Sequence, residues 1–142
     1  MKAFLDTNVI LDVVLNRVDF VENSAKVLQS ALDGYCSLYA SDVTIPTISY
    51  YARKHRTLEQ LYDVMKELRS IIEVAPTGSA AVDWAIASRS KDFEDSVQYY
   101  VALNIGADYI ITRNSRDFPN GNVPICTPQE FLDIITCDRM IK

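Results

Sequence analysis

Short apolar runs alternate with helically spaced apolar residues along this chain. Continuous apolar runs predict buried strands at residues 3–5, 36–39, 71–74 and 109–111. Apolar residues three or four positions apart predict amphipathic helices between and after them, at about 21–32, 44–55, 58–68, 80–88, 92–105 and 128–135. This alternation is typical of a parallel sheet covered by helices. The pattern therefore predicts an α/β fold with three layers, α/β/α, around a central parallel sheet.

Capping and turn residues predict where several of these helices begin and end. Thr44 is expected to be an N-cap, with a proline in the first turn that follows, and Asp92 is expected to cap a helix that stops at Gly106. Residues 127–130, Thr-Pro-Gln-Glu, form a capping box with proline at the first helical position. Asn8 either caps the first helix or faces a binding site.

Length and composition favour one domain over residues 1–142. The chain has 142 residues, of which 49% are hydrophobic, enough for one sizeable core. It has no apolar run of about 20 residues and no signal peptide pattern, so we expect a soluble cytoplasmic protein without a membrane segment. Three cysteines without a C-x-x-C pair and a single histidine argue against a disulfide framework, a zinc site or a histidine-based triad.

The net charge of −5 implies that any binding of nucleic acid is local. The best basic cluster is residues 53–56, Arg-Lys-His-Arg, and Arg113 with Arg116 forms a smaller group. The first cluster is more typical of a solvated helix end, where cations favour the negative end of the helix dipole. The tyrosine pairs at 50–51 and 99–100 suit either base stacking or packing in a core or subunit interface.

Polar residues follow two of the predicted strands directly. Asp6 begins the segment after the first strand, and residues 112–114, Thr-Arg-Asn, follow the strand at 109–111. In open parallel sheets, ligands bind beyond the carboxyl ends of the strands, so both groups are expected at one edge. The acidic segment 92–95 opens the helix that leads to the second group. Carboxylates that converge from such ends can hold Mg²⁺ without histidine, although Asp95 alone could simply favour a helix N-terminus.

These segments together resemble the PIN domain family. The resemblance is found in residues 4–12 (FLDTNVILD), 92–95 (DFED) and 106–118, and it extends over nearly the whole chain. Similar proteins include VapC-type toxins of toxin-antitoxin pairs, many of them Mg²⁺- or Mn²⁺-dependent ribonucleases that form dimers and are inhibited by an antitoxin. The resemblance implies a PIN-like fold, an RNA substrate, an antitoxin protein as partner and a homodimer.

The resemblance also implies roles for individual residues. Asp6 and Asp95 match metal-binding carboxylates of the family, and Asn114 stands where a further acidic residue is common. Thr112 matches a hydroxyl residue beside the site, and Asp117 adds negative charge from the following turn. The implied metal ligands are Asp6, Asp95, Asn114 and Asp117, and the implied catalytic group is Asp6, Asp95, Asn114 and Thr112.

One position departs from the family pattern. Relatives that cut RNA usually have a glutamate in the helix after the second strand, where this chain has Thr47 or, with a shifted alignment, Ser49. Two interpretations follow: a metal-dependent ribonuclease with a weakened site, or a non-catalytic PIN-like module that binds RNA or a protein. A phosphatase using Asp6 as nucleophile is disfavoured, because Asn8 stands where such enzymes have a second aspartate.

Overall fold

A computed structural model describes residues 1–119 and 121–141, without the side chains of Asp117 and Ile141. All the strand pairings in the described part of the chain are parallel and belong to one five-stranded sheet. The strands are β1 (Lys2–Leu5), β2 (Ser37–Ser41), β3 (Ile72–Ala75), β4 (Tyr109–Ile111) and β5 (Ile125–Cys126). Their order in the sheet is β3-β2-β1-β4-β5.

Seven α-helices lie within the described residues. They are α1 (Thr7–Val14), α2 (Val21–Leu32), α3 (Thr44–Ala52), α4 (Leu58–Ile71), α5 (Gly78–Ser88), α6 (Phe93–Asn104) and α7 (Pro128–Ile141), with short 3₁₀ helices at Arg53–His55 and Ser115–Asp117. None of these helices is both long enough and apolar enough to cross a membrane.

The strand order reverses between β1 and β4. From β1 the chain adds β2 and β3 on one side, and it then crosses over to place β4 and β5 on the other side. Leu5 of β1 is in register with Ile111 of β4, so both strands end at the same level. The residues after both strands therefore meet at the sheet edge where parallel sheets usually bind ligands.

Helices cover both faces of the sheet. Alternate residues of a strand point to opposite faces, and β1 shows this clearly, because Ala3 and Leu5 belong to one core cluster and Phe4 to another. The first cluster includes residues of α1, α2, α3, α4 and α7, and the second includes residues of α5 and α6. The predicted three-layer α/β/α architecture is confirmed.

Several predicted boundaries are confirmed. The Asp92 side chain accepts a hydrogen bond from the backbone N–H of Asp95 at 3.1 Å, which caps α6. Gly106 ends that helix with a φ of +68°, a left-handed conformation that glycine adopts without steric cost. Residues 127–130 make both hydrogen bonds of a capping box, one from each end of the segment.

Two predicted caps are corrected, and no ranges had been predicted for helix α1 or strand β5. Val43 occupies the N-cap position of α3, and the Thr44 hydroxyl turns inwards to other hydroxyl groups. Asn8 lies inside α1, because that helix already begins after Asp6. Strand β5 escaped prediction because only two of its residues pair with β4, too few for a recognisable apolar run.

Candidate active site

Asp6 directly follows β1, at the point where the strand order of the sheet reverses. Its backbone N–H donates to the carbonyl of Ile111 at 3.0 Å, which extends the β1–β4 pairing by one residue. The side chain is only 3% exposed. Its Oδ2 accepts a hydrogen bond from Thr112 Oγ1 at 2.9 Å, and its Oδ1 accepts one from Gln98 Nε2 at 3.3 Å. Burial raises the pKa of Asp6 because the loss of hydration outweighs these hydrogen bonds.

Gln98 is the unexpected neighbour of this carboxylate. It lies in the middle of α6, is 3% exposed and donates through its amide nitrogen to Asp6. Its amide oxygen, Oε1, is buried and has no hydrogen-bond partner among the described residues. A buried acceptor without a partner is costly, by about 1–3 kcal/mol, and such atoms often face a water molecule or an ion.

The first turn of α6 adds acidic groups near Asp6. Glu94 is exposed, but partial desolvation raises its pKa, and the negative charges of Asp6 and then Asp92 raise it further. Asp95 is partly buried in the same turn, three residues before Gln98. Residues three or four apart share one side of a helix, so Glu94 and Asp95 both lie towards the side that presents Gln98 to Asp6.

A cavity of about 270 Å³ lies beside α6, and its wall is mostly apolar, with parts of Glu94 and Gln98 in it but neither Asp6 nor Asp95. Buried hydroxyl groups form another part. Thr7 and Thr44 share a hydrogen bond of 2.9 Å between their hydroxyls, and Thr44 contacts the Ser41 hydroxyl at 3.2 Å. These contacts connect β2 and α3 to the beginning of α1, so three elements meet beside Asp6.

The predicted site residues that follow β4 differ from one another in burial. Thr112 is fully buried, and its Oγ1 both donates to Asp6 and accepts from the backbone N–H of Asn114 at 3.0 Å. The Asn114 residue is exposed next to this pair. Asp117 closes the following 3₁₀ helix, and its side chain lies outside the described residues. The structure thus brings Asp6 and Thr112 into direct contact.

The residue at the position of the missing glutamate makes a hydrogen bond within its own helix. Thr47 is partly buried and donates to the carbonyl of Val43 at 3.1 Å. Ser49, the alternative position, donates in the same way to the carbonyl of Pro46 at 2.8 Å. Asp42 accepts hydrogen bonds from the backbone and hydroxyl of Thr77, the latter at 2.6 Å. None of these groups substitutes for a carboxylate beside Asp6.

A buried ion pair close to the site was not anticipated from the sequence. Asp12 of α1 is 0% exposed, and both of its oxygens accept from Arg113, at 2.8 and 3.0 Å. Arg17 approaches the same carboxylate at 3.3 Å, and the Arg113 guanidinium lies over the Phe20 ring at 3.8 Å. Arg113 and Arg17 share this one carboxylate, so the group keeps a net positive charge, and the role of Arg113 in a basic group for nucleic acid remains a prediction.

The oxygen atoms around Asp6 suit a hard cation that keeps several water molecules better than a metal ion enclosed by protein ligands alone. Within the described part of the chain, no three His, Cys, Asp or Glu side chains form a metal-binding group. Mg²⁺, however, is often held by one or two carboxylates and keeps several waters. Asp6 and the acidic turn of α6 offer carboxylates, and the unpartnered Gln98 oxygen offers an acceptor for a bound water. That Asp6 and Asp95 share one cation remains a prediction.

Sequence reasoning missed Gln98 as a site residue, and it included Glu94 only as part of the acidic segment 92–95. A weak signal for Gln98 existed: it is polar and lies four residues after Glu94 of the acidic segment that already pointed to the site. Gln98 lies one helical turn after Glu94, so a helix that presents one of them to the sheet edge presents the other as well.

Comparisons with known proteins agree with this architecture. A PIN domain family model matches residues 2–116. Ribonuclease VapC1 of Aquifex aeolicus (strain VF5) is 31% identical over 137 residues, which cover 93% of this chain and 94% of that protein. A chain in the crystal structure of VapBC2 from Rickettsia felis bound to a promoter DNA fragment superposes with a TM-score of 0.62 at 14% identity, covering 89% of this chain and 98% of that one. From the length of the family match and the identity to this relative, the chain belongs to the PIN domain family.

Proposed function

We propose that this protein is a Mg²⁺- or Mn²⁺-dependent endoribonuclease of the VapC type. The observation that supports this most is the buried Asp6 carboxylate at the sheet edge, beside the acidic first turn of α6. The similarity to a ribonuclease VapC1 supports the choice of RNA as substrate. In this proposal Asp6 and Asp95 bind the ion, while Asn114 and Asp117 lie at its margin.

The chain's own residues hold the reacting groups in place. Thr112 donates to one oxygen of Asp6 and Gln98 donates to the other, so the carboxylate has a fixed orientation. The backbone N–H of Asn114 in turn fixes the Thr112 hydroxyl. A divalent ion, when bound, activates a water and stabilises negative charge on the phosphate. Burial raises the pKa of Asp6 because the charged carboxylate loses hydration. A bound cation offsets that loss, so burial favours cation binding.

Substrate binding needs a local cationic surface, because the net charge is −5. Arg53 and Lys54 follow α3, and neither has a carboxylate partner among the described ion pairs. Arg53 lies 4.7 Å from the centre of the Tyr50 ring, and Lys54 lies 5.2 Å from that of Tyr51. Both rings are exposed, Tyr50 at 51% and Tyr51 at 39%. Exposed aromatic rings beside unpaired cations suit single-stranded RNA, whose bases stack on such rings.

The proposed partners are an antitoxin protein and a second copy of this chain. The fold is similar to a chain of a VapBC2 assembly. On this proposal an antitoxin inhibits the ribonuclease. We also expect size-exclusion chromatography with light scattering to show a homodimer.

Cleavage of single-stranded RNA tests the proposed activity. We expect cleavage with Mn²⁺ or Mg²⁺ and none after EDTA treatment, and we expect Asp6→Asn and Asp95→Asn to lose it. Asp63→Asn on the exposed side of α4 is the matched control, because it also removes one carboxylate and α4 packs on the opposite face of the sheet from α6. Equal residual cleavage by the wild type and Asp6→Asn rejects the proposal.

A second candidate is a non-catalytic PIN-like module that binds RNA or a protein. The observation that favours it is the missing acid at position 47, where the threonine hydroxyl bonds to its own helix. This candidate predicts that millimolar Mn²⁺ leaves the melting temperature unchanged, since a ligand stabilises a fold only by binding to it. A clear rise in melting temperature with Mn²⁺ argues against it.

A further inference from the structure

The cavity of about 270 Å³ beside α6 offers mainly apolar contacts. The hydroxyl groups in its wall bond to other residues: Thr44 contacts the Ser41 hydroxyl, and Thr77 Oγ1 donates to Asp42. The largest side chain in the wall is that of Phe93, the first residue of α6, and this residue is 51% exposed. The cavity therefore suits a flat group that stacks on an aromatic ring better than a group that needs several hydrogen bonds.

One side chain separates this cavity from Asp6. Gln98 lies in the cavity wall, and its amide nitrogen donates to Asp6 Oδ1 at 3.3 Å. A group in the cavity is thus close to the carboxylate where the proposed function places the ion and a phosphate of the RNA. The exposed Glu94 carboxylate is also in the wall, so a second phosphate would be repelled there. An uncharged base of the RNA avoids that repulsion.

Helix α3 connects the cavity to the cationic surface proposed for RNA. Val43 lines the cavity, is 55% exposed and already has helical backbone angles, with φ −66° and ψ −32°. Tyr50 follows seven residues later, so it lies on the same side of the helix and about 10 Å further along its axis. Arg53 lies over the Tyr50 ring at 4.7 Å. This continuity with exposed rings and cations favours a strand of RNA as the occupant over an apolar side chain of a protein.

We propose that the cavity beside α6 binds one base of single-stranded RNA, stacked on Phe93, next to the nucleotide whose phosphate lies at Asp6. This base site rests on the proposed function, since it requires RNA as the ligand. It adds a path for the strand, from Tyr50 along α3 to Asp6. Stacking tolerates any base, because every base has a flat face, so the site holds a base without selecting a sequence.

Binding of labelled single-stranded RNA to the Asp6→Asn variant, followed by fluorescence anisotropy, tests the base site without measuring cleavage. Adding Phe93→Ala should raise the RNA dissociation constant about fivefold to a hundredfold, as for loss of one stacked base. Phe93→Trp keeps a flat ring and should bind at least as tightly as the parent. Leu32→Ala is the control: it shortens another exposed apolar side chain, on a helix that packs on the opposite face of the sheet, and should leave RNA affinity unchanged. Circular dichroism verifies that each variant is folded.

An abasic oligonucleotide with the same number of phosphates separates stacking from a general disturbance of the surface. Phe93→Ala should leave its affinity unchanged, because it has no base to stack. An equal loss of affinity for the abasic strand and for RNA would show that the substitution disturbs phosphate binding, and would overturn the base site.

The outcomes distinguish the base site from the proposed function. If the wild type cleaves RNA with Mn²⁺ but Phe93→Ala leaves RNA affinity unchanged, the base site is overturned and the proposed function stands. If RNA affinity is unchanged and light scattering shows that Phe93→Ala converts a dimer to a monomer, a second copy of the chain covers the cavity, which also overturns the base site. If the wild type does not cleave RNA but Phe93→Ala weakens RNA binding as expected, the proposed function fails and the base site stands. Absence of RNA binding by Asp6→Asn overturns the base site.

Discussion

Asp6→Asn is expected to stabilise the metal-free protein while abolishing its activity. The wild-type side chain is a carboxyl group that is 3% exposed, with a pKa raised by burial, so its charge is costly in the folded state. Asparagine removes that charge and keeps an oxygen that accepts from Thr112. Its new amide group can donate to Gln98 if that amide turns over, which moves the Gln98 nitrogen into the place of the unpartnered oxygen and so gains no hydrogen bond.

The size of the effect follows from the groups involved. Removing a buried charge that has no ion-pair partner among the described residues is worth about 1–3 kcal/mol. For a chain of 142 residues, each kcal/mol corresponds to about 3 °C in melting temperature. The Asp6→Asn variant is therefore expected to melt about 3–9 °C above the wild type at pH 7 in the presence of EDTA. With saturating Mn²⁺ the difference shrinks or reverses, because only the wild type gains binding energy.

The pH dependence gives the result a second check. The folded state retains the Asp6 proton to a higher pH than the unfolded chain, for which the ordinary pKa is 3.8. Wild-type stability therefore falls as pH rises from about 3.8 through the raised pKa, while the asparagine variant lacks this loss. Differential scanning calorimetry should show the difference in melting temperature growing over that range. A variant that melts below the wild type at pH 7 without metal would refute the reasoning.

Three further substitutions test other features. Asp12→Ala leaves the partly buried Arg113 charge unpaired, so we expect the free energy of unfolding to fall by about 3 kcal/mol, measured by urea denaturation. Thr47→Glu restores the acid of related nucleases and should lower the Mn²⁺ dissociation constant about tenfold, measured by calorimetry; an unchanged constant would show that position 47 does not face the ion. Lys54→Gln should weaken binding of single-stranded RNA to the Asp6→Asn variant and reduce the slope of log affinity against log salt by about 0.7, measured by fluorescence anisotropy. An unchanged slope would exclude Lys54 from the RNA contact.

The fold was predictable because burial follows simple periodicities. Apolar runs located four of the strands, and helical spacing located six of the seven described α-helices, with errors of up to three residues at most ends and of six at the end of α7. No range was predicted for α1. The position of Asp6 and Thr112 at one edge followed from parallel strands that end together. Strand β5 could not be predicted in this way, because two paired residues produce no periodic signal.

The candidate site was predictable only in part, because side-chain partners depend on tertiary packing. Nothing local to Asp12 and Arg113, separated by 101 positions, indicates that they form a buried pair. The direction of the Thr44 hydroxyl depends on Thr7 and Ser41, which other elements supply. The unsatisfied oxygen of Gln98 is likewise a property of the packed helix and not of a glutamine in a sequence.

The pairing of Arg113 with Asp12 has a consequence for the neighbouring residues. Arg113 stands between Thr112 and Asn114, and its two hydrogen bonds attach this segment to α1. The conformational entropy of residues 112–114 is therefore lost when the chain folds, and an arriving ligand does not have to order them again. Such preorganisation makes binding tighter for the same set of contacts.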